Sequence, residues 1–504
     1  MMKYRTLVFL VLLLFTMSAC ASTEEKEKDN ELKVLYNFTP ETIDPHQEAI
    51  GLAGRAGITE TLLFLDEDLK LTPGLAEKWQ QINDTTWEFI IREEVKFHNG
   101  DLLTAKHVQK SFEHLVEVND SLNNTLNIQK IISDGQKLTI ITKRPTPTLP
   151  YELTRLQAGI VAKVADKITE PIGTGPFQFE SFKEKTKLHV KRFDDYWQGK
   201  PKLSGAQFTF NEEPNARLMA LQAKEVDISY QLPIESFEDV KKNKQLDVFQ
   251  FDSLRIHYFV FNTQDQKFED VFVRQALNHL INREEIAKTI MKNQATAAYT
   301  PFVEGFAYGK SVPKTDFNLE KAEQLLKKAG YQKEDGKMVK DGQPLTFTLI
   351  TYQGRPELPL IAQMLQANAK KVGIDIDIRN VENIDEYLPN NKDWGMATYS
   401  VNPAIRGEPS FFYNTILSEK GSLNFGQYKS DDFEQIVQEF NQTFDISERE
   451  LLSQKAIDKI QEDVPHIYVV HPKVNIGIHQ SVKNFTPGKD EFYPLNHEVE
   501  IKHD

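Results

Sequence analysis

Residues 343–381 read QPLTFTLITYQGRPELPLIAQMLQANAKKVGIDIDIRNV. The stretch changes its period twice. QPLTFTLITY (343–352) is rich in β-branched and aromatic residues, which favour a strand. PLIAQMLQANAKKVG (359–373) repeats its apolar residues at helical spacing. IDIDIRNV (374–381) alternates apolar and charged residues with period two, again a strand. A strand, a helix and a second strand in succession form the unit that joins parallel strands.

The same alternation runs outward in both directions. ELKVLYNF (31–38) reads as a strand, and GLAGRAGITETLLF (51–64) as a helix. TTWEFIIREEVKFHNG (85–100) reads as two short strands with a turn at Asn99-Gly100. TAKHVQKSFEHLVEV spaces Ala105, Val108, Phe112 and Leu115 on one helical face, with Thr104 placed to cap it. QKLTIITK is strand-like, and RPTPTLPYEL is a proline-rich turn into a helix. NARLMALQAKEVDISY is a helix and then a strand. DVFVRQALNHLINREEIAKTIM is an amphipathic helix pair, and NLEKAEQLLKKAGY stops at Ala329-Gly330. DDFEQIVQEF and ERELLSQKAIDKIQEDV are further helices. Strands and helices alternate along the chain, so the fold class is α/β.

The chain has 504 residues, of which 40% are hydrophobic and 27% charged, enough for more than one domain. Its net charge of −14 repels polyanions and argues against nucleic acid as a partner. Cys20 is the only cysteine. That excludes an intramolecular disulfide and a cysteine-built zinc site.

The residues around Cys20 explain it. Lys3 and Arg5 precede the apolar run LVFLVLLLFTM (7–17), and Ser18 and Ala19 are small. This is the pattern of a secretory signal peptide, too short to span a bilayer comfortably. Small residues directly before a cysteine resemble a bacterial lipobox, although Met17 stands where leucine is usual. The resemblance implies cleavage after residue 19 and lipidation of Cys20. Residues 20–30 form a charged tether, and the body is leashed to the outer face of the cell membrane.

Eight phrases in order carry a wider resemblance: TPGLAEKW (72–79), TTWEFIIREEVKFHNGDLLTAKHV (85–108), IGTGPFQFESF (172–182), RFDDYWQGKPKL (192–203), ARLMALQAKEVDI (216–228), VRQALNHLINREEIA (273–287), KAEQLLKKAGY (321–331) and FGQYKSDDFEQIV (425–437). Together they resemble the extracytoplasmic solute-binding proteins of the peptide/nickel ABC-importer family, whose Gram-positive members are lipoproteins. The resemblance implies a periplasmic-binding-protein fold. Two lobes would close on a ligand about two crossing segments, with an extra domain inserted in the first lobe. The first lobe would comprise residues 31–64, 173–255 and 473–504, the inserted domain 65–172, and the second lobe 256–472. Trp79, Trp87, Phe97 and Trp197 would be packing residues, and Gly173, Gly175 and Pro176 would turn the chain out of the insertion. The partners implied are a small ligand and the permease subunits, with the binding protein itself a monomer.

Enzyme signatures do not accumulate. G-x-S-x-G, H-E-x-x-H and the P-loop are missing, and Ser311-Val-Pro-Lys314 lacks the companion motifs of a serine–lysine enzyme. GTGPFQ is not a phosphate loop. His98, His107 and His114 are spread over a strand, turn and helix, and His466, His471 and His479 along a strand-like run. The chain is expected to do no chemistry on its ligand and to hold no cofactor.

The ligand is argued from residues 393–414, DWGMATYSVNPAIRGEPSFFYN. Peptide binders of the family hold the peptide's amino terminus with an aspartate in this stretch, and its interior has none. Nickel-chelate binders show Asp-Pro-His, and here Glu408-Pro409-Ser410 stands instead. The resemblance places Arg55, beside Leu52, in the early cleft-lining segment. Arg155 falls near a carboxylate-holding arginine of the chelate binders, offset by about two residues, and Arg406 would face both from the other lobe. Guanidinium groups bind carboxylates with charge-assisted, bidentate hydrogen bonds. Tyr399 and Trp394 could stack on a planar ligand. The reading leans to nickel held by histidine or an opine-type metallophore, whose own nitrogen and oxygen donors suit the metal. A short peptide is the alternative; an extracellular hydrolase and a sensory lipoprotein of the same fold are the remaining readings.

Overall fold

The computed structural model describes residues 30–486 and 495–502. The signal peptide, Cys20 and all of the tether except Asn30 lie outside the described residues.

Strand β1 (Glu31–Tyr36) runs parallel to β2 (Gly205–Phe210) on one side and β3 (Ile228–Tyr230) on the other. β4 (Leu246–Asp252) and β5 (Ile256–Phe261) follow, then β6 (Thr346–Tyr352), β7 (Asp375–Val381), β8 (Met396–Val401) and the 14-residue β9 (His466–His479). The sheet order is β7-β6-β8-β5-β9-β3-β1-β2, continued by Lys187–Arg192 and Phe177–Lys183, with β4 paired beside β9. β6 and β7 are parallel, in register from Thr346 opposite Asp375 to Tyr352 opposite Val381. The helix Glu357–Lys371 joins them, as the opening stretch predicts. It ends where Gly373 takes φ +89°, and a Cβ there would lie 2.5 Å from the Gly336 carbonyl oxygen.

Central strands bury both faces. On β5, Phe259 and Phe261 enter one core, with Leu277, Leu326 and Leu365, while Ile256, Tyr258 and Val260 enter another, with Phe412, Phe433 and Ile457. The period-two direction of side chains makes one strand serve two cores. β9 also joins the two halves of the sheet. His466 to Val470 pair with β5, and Lys473 to His479 pair with β4. The chain thus crosses between the halves within β9 near Pro472, and again at residues 253–255 between β4 and β5.

A second sheet stands apart: Ala76–Asn83, Thr86–Ile91, Lys137–Thr142 and Ile128–Asp134, all antiparallel. The helix Ala105–Val118 covers it with Ala105, Val108, Phe112 and Leu115, the face read from sequence. Its core has its own members, including Phe89, Phe97, Leu138 and Ile140. At the return to the main sheet, Gly173 and Gly175 lie against the chain at 57–58. A Cβ on them would sit 2.0 Å from the Ile58 oxygen and 2.2 Å from the Gly57 oxygen, so only glycine fits.

Three expectations need correction. Residues 51–64 do not form one helix: only Leu52–Arg55 is helical, and Leu63–Leu65 is a strand. Gly51 and Gly57 take φ +73° and +70°, which bracket a single turn, and a Cβ on Gly57 would meet the Leu495 oxygen at 2.5 Å. The second strand expected within 85–100 is reduced to a single bridge between Lys96 and Leu102. Thr104 does precede the helix, but its hydroxyl bonds His107 Nδ1 at 2.9 Å rather than a backbone amide.

Candidate ligand-binding site

β1, β2 and β3 run parallel and end at Tyr36, Phe210 and Tyr230. β3 is antiparallel to β9, with Ile228 opposite Ile478 and Tyr230 opposite Ile476, so these ends point toward the crossing near Pro472. In the other half β8 is antiparallel to β5, with Val401 opposite Ile256, so β8 ends toward the same crossing. β6 and β7 run parallel to β8. Both halves therefore aim the carboxyl ends of their parallel strands at the crossing between them, the usual ligand position in open α/β sheets.

Aromatic rings line the first half's strand ends. Tyr36 stacks on Phe38 at 4.7 Å and on Tyr230 at 4.6 Å between ring centroids. The Arg55 guanidinium lies over both Phe38, at 5.6 Å, and Tyr36, at 5.9 Å, in cation–π geometry. Its Nε donates to the Ile50 oxygen at 2.9 Å. Burial raises the Tyr36 hydroxyl pKa, and the Arg55 charge partly offsets it. Below these rings the buried Arg217 donates to the carbonyls of Asn211, Tyr230 and Gln231, tying two strand ends together. Asn37 donates to the Gln231 side chain at 2.9 Å.

The second half brings Tyr352, Tyr399 and Asp385 together. The Tyr399 hydroxyl donates to Asp385, and its ring packs on Tyr258 and Phe425. Tyr399 is thus packed in the second half's core, 7% exposed, with its hydroxyl held by the exposed Asp385. Asn402 follows β8, and its buried amide nitrogen has no partner.

The region of the second sheet meets the main sheet's second half at a carboxylate that sequence reasoning missed. Glu152 lies on the short helix Leu149–Glu152, which follows the second sheet, and is 2% exposed. Its Oε2 accepts from Arg155 Nε at 2.6 Å, and its Oε1 faces Arg406 Nη2 at 3.0 Å. Arg155 is 22% exposed and Arg406 only 5%. Burial pushes the Glu152 carboxyl up, but the charges of Arg406 and Arg155 outweigh it and hold it below the usual carboxylate range. The signal was present in YELTR: a glutamate three residues before an arginine is the spacing of a local ion pair.

Further contacts flank this point. Burial, and then the nearby Glu408 carboxylate, push the Tyr151 hydroxyl up. Glu408 is itself held by Arg449 at 3.1 Å. The rings of Trp87 and Phe444 lie 6.3 Å apart, and a Cβ on Gly407 would meet the Leu69 oxygen at 2.6 Å.

The predicted residues divide accordingly. Arg155 and Arg406 come together, Arg55 lies over the strand ends of the first half, and Tyr399 packs in the second half's core. Leu52 is fully buried in the first half's core beside Ala53 and Ile58, which corrects its placement as a lining residue. Trp394 is also corrected. It precedes β8 while Arg406 follows it, so the two sit at opposite ends of one strand. Its indole donates to the Asn391 carbonyl, and it lines a surface groove with Asp265, Thr346 and Asp375. The histidines disperse: His98 bonds the Gly175 oxygen, His107 bonds Thr104, and His114 bonds His46. Among the described residues no three His, Cys, Asp or Glu side chains converge on one point.

Residues 70–424 match the bacterial extracellular solute-binding proteins, family 5, middle region. The chain belongs to this family. It is 32% identical to the nickel-binding protein NikA of Staphylococcus aureus, over 99% of this chain and 100% of that one. The crystal structure of that NikA with Ni(L-His)2 superimposes with a TM-score of 0.82 over 94% of this chain and 100% of that one. A nickel ABC transporter protein from Bacillus halodurans shares 36% identity, with a TM-score of 0.81 over 94% of this chain and all of that one. The dipeptide-binding protein of Escherichia coli is 26% identical over 82% of this chain and 84% of its own length. The two-lobed α/β fold read from sequence is that of these structures. The family is one of extracellular solute-binding proteins rather than of enzymes, and no described helix of this binding protein is long and apolar enough to cross a membrane.

Proposed function

We propose that this binding protein captures a nickel ion already wrapped by a small carboxylate-bearing chelator, histidine or an opine-type molecule, and delivers it to the permease of an ABC importer. The observation that carries the reading is 32% identity to S. aureus NikA along the whole chain, together with that protein's structure holding Ni(L-His)2. The chelator supplies the nitrogen and oxygen donors to the metal. The binding protein recognises the outside of the complex: the Arg155 terminal nitrogens take a carboxylate, and the Tyr36–Phe38 rings under Arg55 take a planar imidazole.

The lobes in this reading are residues 31–64, 173–255 and 473–504 against 256–472, with 65–172 inserted in the first. Closure is a hinge motion at the crossings near residues 253–255 and Pro472, and the permease reads the closed form. The binding protein works as a monomer on the outer face of the membrane, anchored by lipid on Cys20. Its ligand leaves chemically unchanged.

Calorimetric titration of the chain from Ser22 onward tests this with nickel alone, L-histidine alone, and the two premixed. Tight binding of the premixed solution alone is the expected result. The E. coli dipeptide-binding relative supports a second reading, a short-peptide importer component. Heat from a di- to pentapeptide pool, and from none of the nickel solutions, would establish it instead.

A further inference from the structure

The ion pairs of Glu152 join two separate parts of the fold. It belongs to the inserted region, whose sheet and core are separate from the main sheet. Arg406 belongs to the loop after β8 in the other half. The chain joins these halves at residues 253–255 and near Pro472, and the Glu152–Arg406 contact forms independently of both crossings. Arg155 is on the Glu152 side of the cleft. One carboxylate therefore holds a guanidinium from each lobe.

Every group packed around it fits that role. Glu152 is 2% exposed and has both oxygens engaged, one by each arginine. Arg406 Nε is buried without a hydrogen-bond partner, and its Nη2 pairs with Glu152 Oε1 at 3.0 Å. Tyr151, Glu408 and Arg449 close the neighbouring flank, with the Arg449 guanidinium 3.9 Å above the Phe440 ring. Leu69 against Gly407 and Trp87 against Phe444 complete the contact with apolar surface. A buried carboxylate bridging two arginines is stable only while both are present, because a buried charge without its partner is costly. Swinging the lobes apart removes Arg406 from Glu152 and returns it to water.

We infer that Glu152 is the clasp between the lobes, a positioning residue that presents Arg155 and Arg406 together and favours the closed spacing before and after any ligand binds. The inference stands on the interlobe geometry and does not depend on which ligand the cleft takes. It also assigns Arg406 a partner within the protein, leaving the Arg155 terminal nitrogens to face the ligand.

The test is pulsed electron spin distance measurement on the full chain in detergent, with Cys20→Ser and nitroxide labels on cysteines placed at the exposed Lys130 and Lys455. It compares the unsubstituted background with Glu152→Gln, Arg406→Gln and the double variant, with no ligand added. Each single change is expected to shift at least half of the population to a longer distance. The double variant is expected to go no further than the larger single shift, since both changes remove one contact. Distances unchanged from the background in both singles, or shifts that add in the double, overturn the inference. Arg406→Lys keeps the charge and loses the planar fork, and it replaces any variant whose circular dichroism shows loss of fold. A partial shift in that variant supports the clasp, and none overturns it. Because no ligand enters the measurement, failure of the nickel reading leaves its outcome intact.

Discussion

The resemblance singles out Arg155 and Arg406 as ligand contacts facing each other, and the structure brings both guanidiniums onto one carboxylate, Glu152. Glu152 was not selected, because a single acidic residue on a short helix is ordinary until the fold brings an arginine from the other lobe against it. Truncating one member of such a buried network costs about 3–5 kcal/mol where the site cannot open, and less where it can. The histidines give a pH prediction. Burial depresses His98 and His471 to about 4 and His466 to about 3, so all three fold as neutral rings. Unfolded histidine titrates near 6.5. Between these values the unfolded chain binds more protons than the folded one, so stability is full above about pH 6.5 and falls as pH drops toward 4. Urea midpoints measured across that range should decline steadily. His98→Gln should flatten the decline, since glutamine can keep the bond to the Gly175 oxygen without gaining a proton. A slope unchanged by that substitution would mean that other groups set the acid limit.

Elements were read well where periodicity was long and poorly where glycine set the geometry. The unit at 343–381, the helix at 105–118 and the helices Asp431–Gln442 and Ile446–Asp463 follow their patterns to within a few residues. The segment 51–64 failed because its apolar residues mimic a helical face while two left-handed glycines confine the helix to one turn. The sheet pairings that turn β9 into a bridge between halves involve residues more than 200 apart, and no local pattern reports them. The closeness of Gly173 to the Ile58 oxygen makes this junction unforgiving. Gly173→Ala should lower unfolding free energy by about 2–4 kcal/mol, on the order of other severe backbone clashes. Gly135→Gln, in open space at a turn, should cost about 1 kcal/mol through its left-handed φ alone. Denaturant titrations of the two variants give the comparison, and equal losses would contradict the clash.

At the scale of the whole molecule, the fold places two sets of parallel strand ends across one cleft and leaves lobe contact to a small number of side chains. Gly407 is an uncharged position at that contact. A Cβ there meets Leu69, which packs into the core of Ile256, Tyr258 and Phe412, and its φ is +73°. Gly407→Ala should therefore push Leu69 and the segment that carries it away from the second half. Small-angle scattering would show a larger radius of gyration, and ligand affinity should fall at least tenfold, or about 1.4 kcal/mol. A compact molecule with full affinity would place closure elsewhere.

The central claim is that metal and chelator enter together. Native mass spectrometry of the protein incubated with nickel and isotopically labelled L-histidine tests it most directly. The account predicts an adduct whose mass includes both nickel and labelled histidine, with nothing added by either alone. A bare nickel adduct, or retention of a copurified peptide that the mixture cannot displace, would contradict it.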